Sequence, residues 1–288
     1  TTRLDEYHYL MSTTTGNAAS VMSKLEDWLQ TEWPELEVYL TSVTENYGTI
    51  SLNGPNSKKL MQKLVPDFDF SKENFPHMSF KNINIDGIKC RVMRISFTGE
   101  MCYEINVPSG YAKNLWELCI DKGKEFNITP YGTEAMHVLR AEKGFIIVGQ
   151  ETDGTVTPLD LGMDWIVSKT KTDFIGKRAL ERVSMADPQR KQLVGLLTDD
   201  PNKVIPEGAH AVLDPDQPAP MAMLGHVTSS YFSPNLGHSI AMGLLKGGHE
   251  LMGQTVYIPM LDGQPPIKAR ITDTSFYDAK GDRLNGAS

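Results

Sequence analysis

Apolar and polar residues alternate with a period of two in several short segments of the first half of the chain, as they do in half-covered β-strands. This alternation predicts strands at residues 7–12, 38–44, 49–52, 83–85, 90–97 and 103–107. Between the first two, apolar residues recur at helical spacing: Val21, Leu25, Trp28 and Leu29 follow Asn17, which can cap a helix. The chain is therefore expected to mix helices and strands from its beginning.

Two passages of this region share the order strand, strand, helix. The helix of the first passage begins at Ser57, and that of the second follows Ser109 and is stopped by Gly123. A further helix over residues 133–143 ends at Gly144, and the polar, turn-rich loop after it is typical of a loop that lines a site. The repeated order predicts an α+β fold with a split βαβ, ferredoxin-like layer.

The pattern changes in the last third of the chain, where short strand segments alternate with glycine and proline. These segments lie at residues 193–198, 209–213, 225–230, 240–245, 255–258 and 267–272. Six short strands of this kind indicate a small β-barrel. We therefore predict two regions, residues 1–186 and a C-terminal β-barrel domain over residues 187–288.

Composition and charge narrow the class of protein. Of the 288 residues, 40% are hydrophobic and 22% are charged, and no apolar run approaches the roughly 20 residues that span a bilayer. The formal net charge of −8 disfavours binding to nucleic acid or to anionic lipid, since both need a basic surface. We expect no nucleic-acid or membrane partner, and a small molecule or another protein instead.

The chemistry-bearing residues exclude several classes of site. The three cysteines lack CxxC spacing, and their odd number indicates a reducing, cytoplasmic location. Each lies in an apolar-patterned segment, which favours a buried structural thiol over a nucleophile. The seven histidines show no HExxH spacing, so no metal site is predicted. No GxGxxG, GxxxxGK[ST] or GxSxG motif is present, so any flavin or NAD is expected outside this chain and covalent catalysis is not supported.

The segment ISFTGEMCYEINV, at residues 95–107, places a glycine turn before a strand that carries Glu104. Because Ile105 alternates with Glu104 and Asn106, the two polar side chains share one face, and Tyr103 is expected to point to the other. A carboxylate on a rigid strand can accept paired N–H donors from the edge of a pterin or a guanine-like ring. The alternative is a strand glutamate that faces solvent.

Aromatic and polar residues near this segment extend the candidate site. They are Phe97, Tyr103 and Tyr131, together with Gln150, Glu151 and Asp153 of the polar loop after the helix. Such a set can bind a planar ring by stacking and by hydrogen bonds to its edge. The alternative for the aromatic residues is packing in the core.

Three motifs in the same order resemble the aminomethyltransferase family of the glycine cleavage system, the T-proteins. ISFTGEMCYEINV resembles the family's YTGEDGYEI, TPLDLGM and DFIGKRAL resemble TPLEAGL and DFIGKEAL, and GHVTSSYFSPNLGHSIAMGLL resembles VTSGTFSPTLGKNIALGYV. The segments TTTGNA, ITPYGTEAMHVLRAEKGFIIVGQETDG and RKQLVGLL resemble one branch still more closely, the carboxy-terminal half of the alpha subunit of heterotetrameric sarcosine oxidases. The resemblance covers nearly the whole chain.

The resemblance implies a tetrahydrofolate-binding module of three subdomains around a central channel, the last one a β-barrel. The family's pterin-binding glutamate corresponds to Glu104, and its leading aromatic residue to Phe97, which keeps ring stacking but lacks a tyrosine hydroxyl. Thr14 replaces a family asparagine and can still hydrogen-bond a pterin, whereas Met136 replaces the arginine that reaches the folate tail. The family's aspartate, which orients or deprotonates the attacking folate nitrogen, would precede Thr1, so the catalytic residue is not identified here.

The resemblance leaves three functions open. In the leading one, tetrahydrofolate captures the one-carbon unit that a flavoprotein subunit of sarcosine oxidase releases from sarcosine, which yields 5,10-methylenetetrahydrofolate. A second is a stand-alone aminomethyltransferase supplied by a lipoyl carrier protein. A third is a noncatalytic folate-binding protein of the iron–sulfur assembly type, but its hallmark KGCYIGQE is matched here by the longer, cysteine-free KGFIIVGQE at residues 143–151. We also expect self-association, because apolar surface left bare usually seeks cover.

Overall fold

Six α-helices and twelve strands lie within residues 1–261 and 263–286, the part of the chain that the computed structural model describes. The helices are α1 (Ala18–Thr31), α2 (Ser57–Leu64), α3 (Ala112–Gly123), α4 (Thr133–Lys143), α5 (Lys177–Leu180) and α6 (Asp282–Asn285). The strands are β1 (Thr2–Arg3), β2 (Tyr9–Leu10), β3 (Tyr47–Asn53), β4 (Phe80–Ile85), β5 (Ile88–Met93), β6 (Cys102–Pro108), β7 (Lys191–Thr198), β8 (His210–Ala211), β9 (Gly225–Ser233), β10 (His238–Lys246), β11 (Thr255–Ile258) and β12 (Ile267–Thr272). The mixture of helices and sheets confirms the predicted α+β class.

The first region is built on one antiparallel sheet with the strand order β3-β6-β5-β4. Its apolar face, represented by Ile50, Val92 and Ile105, shares a core with Leu60 of α2 and Leu115 of α3. The two predicted strand–strand–helix passages therefore contribute to a single sheet and a single core. The opposite face of this sheet is lined mainly by polar side chains of β3 and β6, and it carries the candidate site described below.

The C-terminal region is a nearly closed antiparallel barrel with the strand order β11-β12-β7-β10-β9-β8. A bridge between Val212 and Tyr257 links the segment after β8 to β11 and brings the two ends of the sheet together. Val194, Ile258 and Ile271 belong to the apolar cluster of this region. Each of the six strands predicted after residue 190 is present, so the predicted C-terminal barrel is confirmed.

A buried ion pair joins the first region to the barrel. Arg140 of α4 and Glu151 have no exposed side-chain surface, and Nη1 of Arg140 lies 3.0 Å from Oε2 of Glu151. Nη2 of Arg140 donates to the hydroxyl of Ser229 on β9 at 2.6 Å, and the backbone N–H of Ile147 donates to Glu151 at 2.7 Å. Helix α4, the loop that follows it and the barrel are therefore linked through one set of hydrogen bonds.

Two elements differ from the sequence prediction. Residues 38–44 have an alternating pattern but form no strand, because no described strand lies beside them to complete a hydrogen-bonded ladder. The strand predicted at residues 7–12 is reduced to β2, which pairs only with β1 among the described strands. Alternation indicates a strand sequence, but a strand also requires a neighbour.

The first 46 residues leave much apolar surface exposed. None of the residues of α1 is buried. Large exposed side chains in this stretch are Tyr7, Tyr9, Met11, Leu36, Val38 and Tyr39. Among the described residues, the helices are all too short or too polar to cross a membrane.

We expect Glu151→Gln to lower the free energy of unfolding by about 3–5 kcal/mol, because it leaves the Arg140 guanidinium buried without a counter-charge. Urea denaturation followed by circular dichroism measures the change. Glu117→Gln is the matched control, since Glu117 forms an exposed ion pair with Lys113 one turn away on α3, worth no more than about 0.5 kcal/mol. Equal losses in the two variants would contradict a structural role for the buried pair.

Candidate functional site

Glu104 lies at the middle of the polar face of the first sheet. It sits on β6 between Ser51 of β3 and Met93 of β5, which are its cross-strand neighbours. Strand alternation places Asn106 on the same face, as the sequence predicted, while Ile105 enters the core. The carboxylate is thus held by a strand that is paired on both sides, which restricts its movement.

The Glu104 carboxylate is half-buried and has no hydrogen-bond partner within residues 1–261 and 263–286. Among the described residues, no side chain or backbone N–H donates to it, although burial raises the pKa of this carboxyl above its usual range. A half-buried carboxylate normally acquires a donor, because desolvation without one is costly. Its unused acceptor capacity is therefore available to a ligand.

A chain of hydrogen bonds connects this face to the turn before β6. The hydroxyl of Thr98 donates to Oδ1 of Asn53 at 2.9 Å, and Nδ2 of Asn53 donates to Ser51 Oγ at 2.9 Å. Nδ2 of Asn53 also donates to the Tyr131 hydroxyl. Asn53 therefore positions Tyr131 beside Ser51, the residue that faces Glu104 across the strands.

A cavity of about 460 Å³ opens along β3 and is lined by Ser51, the cross-strand neighbour of Glu104, but not by Glu104 itself. Its walls include Tyr131, Met136 and Trp116 of α3. Burial is the main cause that raises the pKa of the Tyr131 hydroxyl, so it stays protonated at neutral pH. None of the described residues that line this cavity is charged. The cavity therefore suits a neutral, planar group better than an anion.

Tyr103 does not belong to the site, and the prediction that it binds the ligand is wrong. It is 1% exposed and its ring contacts Phe70 and Phe75 in the core, at centroid distances of 5.7 and 5.9 Å. The same alternation that exposes Glu104 turns its neighbour inward. Core packing was the alternative for this residue, and the structure supports it.

Gln150 also lies elsewhere. Its side-chain amide donates to the backbone carbonyl of Thr228 on β9 at 2.9 Å, and it lies 3.4 Å from Glu207. It therefore helps to attach the loop after α4 to the barrel and does not line the cavity next to Ser51. The polar composition of this loop, which resembled that of a ligand-binding loop, serves the junction between the two regions.

The remaining predicted residues stay predictions. Tyr131 lines the cavity, whereas Phe97 is half-buried just before the turn and Thr14 is exposed ahead of α1, and neither of these two lines it. Sequence reasoning missed Asn53 and Ser51. The alternation of Thr49, Ser51 and Asn53 with Ile50 and Leu52 signals a polar face, but the pairing of β3 with β6 does not follow from it.

The cysteines offer no nucleophile at this site. All three are free and buried. Burial raises the pKa of Cys102, next to Ser51, to about 12, and that of Cys90 and of Cys119 to about 11. Since the thiolate is the reactive form, these side chains act as apolar filling.

Two family models match the chain. The GCVT N-terminal domain matches residues 1–171, and the glycine cleavage T-protein C-terminal barrel domain matches residues 191–278. The boundary that the sequence predicts after residue 186 falls between these two matches. One similar solved structure is the glycine cleavage system aminomethyltransferase T from Bartonella henselae, with a TM-score of 0.75 and 23% sequence identity. The match covers 92% of this chain and 67% of the chain in that structure.

Curated relatives fall into two groups. Sarcosine oxidase subunit alpha from Corynebacterium sp. (strain P-1) is 49% identical over 99% of this chain, and that from Rhizobium meliloti (strain 1021) is 37% identical over the same share. The chain spans only about 30% of the length of these proteins. An aminomethyltransferase from Thermoanaerobacter sp. (strain X514) is 33% identical over 95% of this chain and 70% of its own length. The chain belongs to the glycine cleavage T-protein family of aminomethyltransferases.

Proposed function

We propose that this chain is a tetrahydrofolate-binding module, which takes up the one-carbon unit released by oxidation of sarcosine on a flavoprotein partner and so forms 5,10-methylenetetrahydrofolate. The observation that carries the proposal is Glu104, a half-buried carboxylate without a hydrogen-bond partner among the described residues, whose cross-strand neighbour Ser51 lines a neutral cavity of about 460 Å³. Family membership supports a folate ligand. The identity of 49% to a sarcosine oxidase subunit alpha favours sarcosine as the source over a lipoyl carrier.

The residues present fit a reduced folate. The carboxylate of Glu104 can accept two N–H donors from the edge of a pterin, and its partly buried position strengthens such bonds. The rings of Tyr131 and Trp116 offer apolar surface to uncharged rings. When bound, the folate supplies the nitrogen that takes up the one-carbon unit. The chain's own residues would bind and orient it, which is a large part of the rate in reactions between two bound groups.

The folate tail is the part that this chain holds least firmly. Met136 stands where the resemblance places an arginine, and none of the described residues that line the cavity carries a positive charge. The tail carboxylates would then remain in solvent. We propose that affinity arises from the pterin end, so it should depend little on ionic strength.

The partners and the location follow from the same proposal. The relatives named sarcosine oxidase subunit alpha imply a multi-subunit enzyme, and we propose a cytoplasmic complex in which the flavin resides on another part of the assembly. The exposed apolar side chains of residues 1–46, such as Tyr39 at 94% and Tyr7 at 88%, support burial of this stretch against other protein surface.

We expect Glu104→Gln to weaken tetrahydrofolate binding by about 1.5–3 kcal/mol, the usual contribution of a hydrogen bond to a charged group. Isothermal titration calorimetry measures the change. In the unaltered chain, affinity should fall on acidification, because a raised pKa brings protonation of the carboxylate closer to neutral pH, and this fall should be absent in the variant. The exposed variant Glu73→Gln serves as the control. Unchanged affinity in Glu104→Gln would remove Glu104 from the site.

Met136→Arg tests the position of the tail. We expect it to strengthen tetrahydrofolate binding by about fivefold, roughly 1 kcal/mol, through a new ion pair that 0.5 M salt suppresses. Met136→Gln has a similar length without the charge and should leave both affinity and salt dependence unchanged. An equal gain in both variants would show that the tail does not approach this helix.

A reconstituted assay tests the function itself. The chain is added to a sarcosine-oxidising flavoprotein with sarcosine and tetrahydrofolate, and both free formaldehyde and methylenetetrahydrofolate are measured. We expect the chain to shift product from formaldehyde to the folate adduct beyond the spontaneous rate, and Glu104→Gln to lose most of this shift. Activity with an aminomethylated lipoyl carrier protein, and none in the sarcosine assay, would favour the stand-alone aminomethyltransferase instead.

A further inference from the structure

We propose that Arg283, in the C-terminal segment (residues 273–286), is a positioning residue for the strand that carries Glu104. The inference rests on the proposed function, since it concerns the same site. Arg283 forms an ion pair with Glu100, at the turn that leads into β6. The segment belongs to the barrel end of the chain, yet its last residues contact the first region.

The C-terminal segment reaches the first region by following the end of α4. After β12, the backbone N–H groups of Phe276 and Tyr277 donate to the carbonyl of Glu142 at 2.9 and 2.8 Å. Gly144 allows this approach, because a Cβ at that position would lie 2.7 Å from the backbone oxygen of Thr274. The path of the segment is therefore set by the backbone, independently of Arg283.

Asp278 then fixes the short helix α6, in which Arg283 lies. Its carboxylate accepts the backbone N–H groups of Asp282 at 2.9 Å and of Arg283 at 3.2 Å. Lys143, at the end of α4, lies 3.3 Å from the same carboxylate. The Arg283 side chain consequently extends from a fixed base toward the first sheet.

The contact with the first sheet has two parts. Arg283 pairs with the carboxylate of Glu100, and these side chains are 31% and 14% exposed. Arg94, which is 4% exposed, donates from Nη2 to the backbone carbonyl of Leu284 at 3.0 Å. The other carboxylate oxygen of Glu100 is buried without a partner among the described residues, so loss of Arg283 would leave the whole group unpaired. A buried unpaired carboxylate drives the turn to rearrange.

The turn between Phe97 and Glu100 is held from both sides. On the side of the site, the buried hydroxyl of Thr98 donates to Asn53, which in turn bonds Tyr131. On the opposite side, Gly99 has a φ of +79° and packs so closely on Lys143 that a Cβ would lie 2.7 Å from its side chain. Displacement of Glu100 would therefore disturb both the start of β6 and the bond that places Tyr131.

The test compares binding with stability. We expect Arg283→Gln to raise the Kd for tetrahydrofolate by about fivefold to tenfold, as the loss of a partly buried charge pair would. Arg283→Lys should restore part of the affinity, and Glu100→Gln should weaken binding as Arg283→Gln does, with no further loss in the double variant. The control is Arg190→Gln, which breaks an ion pair with Asp160 at 2.7 Å remote from β6. It should lower the melting temperature but leave the Kd unchanged.

Each outcome decides the inference. If Arg283→Gln and Glu100→Gln bind tetrahydrofolate as the unaltered chain does, while Glu104→Gln binds weakly, Arg283 only stabilises the fold and the positioning role is refuted. The same holds if Arg190→Gln weakens binding equally. If the unaltered chain binds no tetrahydrofolate at all, the proposed function fails first. Where Arg283→Gln does not fold, Arg283→Lys and Glu100→Gln provide the same comparison.

Discussion

The arrangement of the two regions depends on a pair of opposite charges that water does not reach. Arg140 and Glu151 are both completely buried, and each would destabilise the fold if the other were absent. Their hydrogen bonds reach α4, the loop after it and β9, so the pair defines how the barrel sits on the first region. Replacing such a buried pair with apolar side chains of the same volume often leaves stability unchanged or raises it, whereas removing only one of the two charges is strongly destabilising.

The candidate site has the opposite character. Glu104 is a half-buried acid without a partner among the described residues, and the cavity lined by its cross-strand neighbour Ser51 has uncharged walls. Such a combination recognises a ligand that is neutral over most of its area and rich in N–H donors at one edge. In the unliganded protein, the carboxylate is partly desolvated without a donor, which costs free energy. A ligand that supplies the missing donors removes this cost, so less of its interaction free energy is lost on binding.

Sequence reasoning succeeded where a local signal was sufficient. Helix α4 spans residues 133–143 and ends at Gly144 as predicted, because its helical periodicity and its stop signal are both local. The face of Glu104 followed from alternation alone. The strand predicted at residues 38–44 is absent because strand pairing is not a local property. Gln150 was predicted to bind the ligand because a polar loop that packs on a barrel has the same composition as a polar loop that lines a site. Asn53 and Arg283 could not be found, since their roles depend on contacts far apart in the chain.

The contact between Glu100 and Arg283 spans 183 positions of the sequence. During synthesis, the strand with Glu104 therefore leaves the ribosome long before the residue that supports it. Closing a loop of this length is slow compared with pairing neighbouring strands. The first region can consequently acquire its sheet early, but the site reaches its final form only after the barrel has folded and returned its last segment. A nascent chain would thus remain unable to hold its ligand firmly until residues 273–286 had been translated.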